Sequence, residues 1–190
     1  MPRPAPRPRP ATTTSPPALP QRPGWVCATA GVVLPGLIAA LAVLSALQIF
    51  VLNPLAAAPG ERPLGQVYAD LGTAGEGGLP FLFSALILVA GLGVAAILWF
   101  IVWRREEVDP LAVLALGVAS LVAATPAYFI ASFGMGMALA DTYMIGGADR
   151  SPWAWPVYAA SALALPALAV VVVLLLRGPA GGRATPRPTR

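Results

Sequence analysis

The 190-residue chain contains no lysine and no histidine, has a single cysteine, and sets eight acidic residues against twelve arginines. Each shortage removes a class of chemistry. Without histidine there is no imidazole base, and the lone thiol of Cys27 can neither close an internal disulfide nor build the thiolate set of a zinc site. Charged residues make up only 11% of the chain, against about 25% in an ordinary soluble domain, too few to cover a water-soluble fold of this size. The charge that exists is segregated: residues 79–103, 111–140 and 152–176 contain no Asp, Glu, Lys, Arg or His.

What fills those stretches is hydrocarbon, since 57% of the chain is hydrophobic. Long charge-free apolar runs are the mark of helices solvated by a bilayer. The pattern predicts an all-α integral membrane protein with four transmembrane helices in an antiparallel bundle, spanning about 25–52, 79–103, 111–133 and 152–176 within a transmembrane domain over 24–176. Loops 53–78 and 134–151 join the spans on one side. Orientation follows from arginine. Arg3, Arg7, Arg9, Arg22, Arg104, Arg105, Arg177, Arg183, Arg187 and Arg190 share one side and only Arg62 and Arg150 the other, so both termini are expected in the cytoplasm and both longer loops outside. A net charge of +4 that flanks apolar spans speaks for orientation and anionic headgroups rather than for nucleic acid.

Residues 1–23 carry proline at nearly every second or third position, which removes backbone donors and predicts an extended, disordered cytoplasmic tail able to meet a partner's aromatic groove. Residues 177–190 form a second tail. The first span is longer than a bilayer requires and is expected to kink at Pro35. Ala56, Ala57 and Ala58 offer a signal-peptidase site, but an apolar region about twice the usual 7 to 15 residues favours an uncleaved anchor. Within the first outer loop, Leu64–Leu71 has helical spacing and is expected to lie on the membrane surface. Asp109 before Pro110, and Asp149 to Ser151 before Pro152, read as caps followed by proline at a helix start; Pro126, Pro156 and Pro166 are expected to loosen or bend their spans.

No residue set amounts to a catalytic, metal or cofactor site. Proton-coupled transport requires an intramembrane carboxylate or histidine, and no span has one. The hydroxyls of Thr29, Ser45, Ser84, Ser120, Thr125, Ser132 and Ser161 are expected to bond their own helices, and Gln48 to snorkel towards headgroups. Met135, Met137, Asp141 and Met144 invite a soft-metal reading that no known spacing supports. Ala115, Ala119, Ala123 and Ala127 make a small-residue ridge, with Gly36 and Ala40, Gly91 and Ala95, and Ala160 and Ala164 as matching surfaces, suited to bundle packing or to a homo-oligomer.

The layout resembles that of small uncharacterised four-span membrane proteins of actinobacteria. The resemblance is carried by the proline- and arginine-rich first tail, the run Gln66 to Gly72 and the pair Arg104 and Arg105. It implies a bacterial membrane protein and no activity. The expectation is therefore a non-enzymatic accessory or scaffold protein of the plasma membrane, contacting a protein partner through its first tail or outer loops. The alternatives are a subunit of a transporter or channel complex, and an enzyme using the outer carboxylates Glu61, Asp70, Glu76, Asp141 and Asp149.

Overall fold

The computed structural model describes residues 24–76, 78–104 and 108–177. The first tail, the second tail beyond Arg177, and Arg105 to Glu107 lie outside the described residues, together with every expectation placed on them. Among the described residues there are five helices: α1 (Gly24–Ala57), α2 (Leu64–Thr73), α3 (Leu79–Trp103), α4 (Pro110–Tyr143) and α5 (Pro152–Leu176). No strand occurs among the described residues. All but α2 are long and apolar enough to cross a membrane. Their surfaces agree with that: Leu82, Leu86, Val89 and Ile97 on α3, and Leu163, Leu165 and Val170 on α5, are exposed. So much apolar side chain facing outward is stable only in an apolar medium.

Two helices run further than the sequence implies. α1 continues through Asn53 and Pro54, both buried, to Ala57, and α4 continues beyond Phe133 through Gly134–Tyr143. Two glycines in that second stretch read as a loop by propensity, but Met135, Ala138 and Leu139 are buried, and burial outweighs the roughly 1 kcal/mol that each helical glycine costs. The connections outside helices shrink accordingly to 58–63, 74–78 and 144–151. α2 forms where a short helix is expected. Its apolar anchors Val67 and Leu71 are buried in the protein.

Proline shapes α1 and α4. A proline ring removes one backbone donor and collides with the carbonyl four residues back, so the preceding turn must open. In α1 that opening takes the form of two π-helical turns, Thr29–Val33 and Gln48–Leu52. Leu34 donates to Thr29 just before Pro35, and Asn53 donates to Gln48 just before Pro54. The disturbance expected at Pro35 is thus present as a widened turn and is repeated at Pro54. α4 is interrupted at Ala123 (ψ −10°), before Pro126, into Pro110–Val122 and Ala124–Tyr143. α5 carries Pro166 without interruption and opens with a 3-10 turn, Pro152–Ala154.

Both cap readings hold: Asp109 accepts from the Leu111 amide at 3.0 Å, and Ser151 from the Trp153 amide at 3.4 Å. α1 lies along α3, the first half of α4 along α5, and the second half of α4 against α3. Lipid-solvated helices gain little from excluding water, so close approach and hydrogen bonds hold them together. A Cβ on Gly91 would stand 3.4 Å from that of Ala42, and one on Gly117 would meet Leu34 Cδ1 at 2.8 Å. These are the tight crossings. The expected alanine ridge is looser, with Ala115, Ala119 and Ala127 half-buried and Ala123 exposed, and nothing lies within 4 Å of the position a Gly36 Cβ would take.

Candidate functional site

Two features stand out, an apolar cleft midway along the bundle and a polar cap at the end that holds α2. The cleft opens where α4 breaks. Its volume is about 290 Å³, and Leu41, Ala42, Gly91, Val94, Ala123 and Ala127 are among its walls. Ser45 and Ser120 line it too, but the Ser120 hydroxyl is turned back to the Leu116 carbonyl at 2.8 Å. Apart from the phenol of Tyr128, no ionisable group among the described residues borders the space, and its lining suits hydrocarbon.

The cap is built from side chains that tie distant segments together. Gln48 of α1 donates through Nε2 to the Ser151 carbonyl at 3.2 Å, and Asn53 Oδ1 accepts from the Arg150 amide at 2.7 Å, so α1 holds the segment entering α5. Tyr128 of α4 and Tyr158 of α5 donate to the two carboxylate oxygens of Asp149, at 2.9 and 2.6 Å. Their rings meet edge to face at 5.7 Å. On the other flank Arg62 forms a salt bridge to Asp70, whose same oxygen accepts from Tyr143 at 3.0 Å, and the guanidinium lies 5.9 Å from the centre of the Tyr143 ring.

Tyr68 of α2 joins the two structural themes. Its hydroxyl donates at 2.8 Å to the carbonyl of Phe50, which is the group that Pro54 deprives of its helical amide partner. Its ring meets Phe81 of α3 edge-on at 6.1 Å. Burial pushes its phenol above the ordinary value, so it stays a donor through the neutral range.

Several expectations change here. Gln48 does not snorkel: it is 0% exposed, and its Oε1 has no partner among the described residues. The π turn that starts at Gln48 places the side chain inward, against the Ser151 carbonyl. Nor do all hydroxyls serve their own helices. Ser84 of α3 donates to the Ala131 carbonyl of α4, and Ser161 of α5 donates to that of Val122 in α4 at 2.6 Å. Sequence reasoning missed Tyr128, Tyr158 and Asn53 as cap residues. The legible signal was tyrosine at a span end with an aspartate just outside it, a combination that seldom goes unpaired in a low-dielectric setting.

The carboxylates of Glu61, Asp70, Glu76, Asp141 and Asp149 do not converge. Asp70 and Asp149 are held in separate networks, Glu61 and Asp141 are exposed, and Glu76 is half-buried elsewhere. Among the described residues no three His, Cys, Asp or Glu side chains come together. Met135 is buried whereas Met137 and Met144 are exposed, so the methionines do not share a face. Cys27 is half-buried near the start of α1.

Beside the start of α5 is a second recess, of about 380 Å³, lined by Asp149, Arg150, Ser151, Pro152, Trp155 and Tyr158. Unlike the cleft it carries both signs of charge. The chain matches no protein-family model, no curated protein and no solved structure.

Proposed function

We propose that the chain is a non-enzymatic accessory or scaffold protein of the bacterial plasma membrane, an antiparallel four-span bundle with both termini in the cytoplasm and the polar cap outside. The distribution of arginine supports the orientation, because Arg104 and Arg177 close α3 and α5 whereas the cap holds only Arg62 and Arg150. One observation carries the scaffold reading. Gln48, Asn53, Tyr68, Tyr128, Tyr143 and Tyr158 join α1, α2, α4 and α5 to one another, which supports a rigid outer surface rather than a reactive centre. The transporter alternative draws less support, because the mid-bundle cleft is lined by hydrocarbon.

Two measurements test this reading. In a Cys27→Ser background, Glu61→Cys is expected to react with an impermeant maleimide added to intact cells and Arg104→Cys only after lysis; the reverse pattern refutes the orientation. Affinity purification after mild solubilisation is expected to bring down a stoichiometric companion that is lost when the exposed α2 residues Gln66 and Ala69 are changed to arginine. Full-length protein running alone refutes the accessory role.

A further inference from the structure

We infer that the recess formed by Asp149, Arg150, Trp155 and Tyr158 is a binding site for a zwitterionic phospholipid headgroup that carries a phosphodiester and a primary ammonium, that is, phosphatidylethanolamine. The inference rests on the orientation proposed above, which puts the first turn of α5 at the outer headgroup level.

The charges in the recess do not cancel each other. Arg150 reaches only the Gly146 carbonyl, at a long 3.5 Å, and among the described residues no carboxylate pairs with it. Asp149 is turned towards the two tyrosines, each of which occupies one acceptor position on one oxygen. A carboxylate offers about four such positions, so acceptor capacity remains. A guanidinium with no carboxylate partner among the described residues and a carboxylate with spare capacity thus flank one recess, both exposed. Guanidinium recognises phosphate through its fork of donors. The carboxylate recognises the ammonium.

The aromatic wall sharpens the second half of that match. Trp155 is 70% exposed and stands edge-on to Tyr158, with ring centres 6.2 Å apart and planes at 87°. Two perpendicular rings beside a carboxylate are the surroundings that stabilise an alkylammonium through its attraction to ring faces. The spare carboxylate sites favour an ammonium that still has hydrogens to donate over a quaternary one. An anionic lipid such as phosphatidylglycerol would satisfy Arg150 but lie against Asp149, and like charges in a partly desolvated site repel.

The test uses the full chain, extracted gently and supplied with equal amounts of phosphatidylethanolamine and phosphatidylglycerol of identical acyl chains, with retained lipid read by native mass spectrometry. Phosphatidylethanolamine adducts are expected to exceed the others by about fivefold, the factor that roughly 1 kcal/mol of added interaction gives. Asp149→Asn is expected to bring the ratio to one or below. Trp155→Leu, which keeps an apolar side chain at a position 70% exposed, is expected to lower phosphatidylethanolamine retention severalfold with Tm unchanged. A wild-type ratio near one, a preference for phosphatidylglycerol, or a ratio that neither substitution alters overturns the proposal. If the ratio fails while Glu61→Cys still labels from outside, the headgroup site falls and the orientation stands; labelling from inside removes the orientation itself.

Discussion

The Ser161 hydroxyl donates to the carbonyl of Val122 at 2.6 Å, and Val122 stands four residues before Pro126, at the position whose helical amide partner the proline ring removes. The same geometry recurs with Tyr68, Phe50 and Pro54. An unsatisfied carbonyl in hydrocarbon costs several kcal/mol. In both places a side chain from another helix supplies the missing donor, and the break in one element becomes a joint between two.

The first pair yields a double-mutant cycle. Ser161→Ala is expected to destabilise the bundle by about 1–3 kcal/mol, whereas in a Pro126→Ala background, where the backbone amide is restored, the same change is expected to cost well under half as much. Thermal unfolding of the four purified forms in one detergent measures this. Additive losses refute the joint.

For the second pair, Tyr68→Phe is expected to cost about 1 kcal/mol alone and little with Pro54→Ala. The bond also has a pH signature. The Tyr68 phenol is raised in the folded chain by burial, so its contribution is fully present below the unfolded value of about 10 and is lost as pH rises through the folded value. Stability measured from neutral to strongly alkaline pH is expected to fall more steeply in the wild type than in Tyr68→Phe.

Gln48 lies wholly buried, its amide donating to the Ser151 carbonyl and its oxygen without a partner among the described residues. Gln48→Leu is expected to remove the tie to the Ser151 carbonyl and to lower stability by about 1–3 kcal/mol, since that buried carbonyl loses its donor. Thermal unfolding of the purified variant beside the wild type measures this, and an unchanged Tm refutes the tie.

Glycine substitutions separate close approach from mere composition. A Cβ at Gly136 would stand 3.1 Å from the Gly147 carbonyl oxygen, while one at Gly36 meets nothing within 4 Å. Gly136→Ala is expected to lower Tm, because a backbone group must move to admit it. Gly36→Ala is expected to be neutral or stabilising by up to about 1 kcal/mol.

Most of the fold was legible because hydrophobicity along the chain is a one-dimensional signal. Charge-free runs locate α3 and α5, and Asp109 and Ser151 before proline mark the starts of α4 and α5. The ends of α1 and α4 were not legible, since Asn53, Gly134 and Gly136 read as loop residues until their neighbours bury them. The cap was harder still. Gln48 and Asn53 lie 103 and 97 residues from their partners Ser151 and Arg150, and only the pairing of α1 with the start of α5 makes them neighbours. Glycines were legible as small but not as close: Gly117 against Leu34 depends on the crossing of two helices, and Gly36, with the same spacing logic, touches nothing.

The joint at Val122 also bears on how the chain is made. The acceptor lies 39 residues ahead of its donor, and ribosomes add about 5–20 residues per second, so α4 waits roughly 2–8 s before α5 exists to meet it. During that interval the Val122 carbonyl lacks its Ser161 donor, a reason for the nascent segment to stay beside water or a chaperone until its successor arrives.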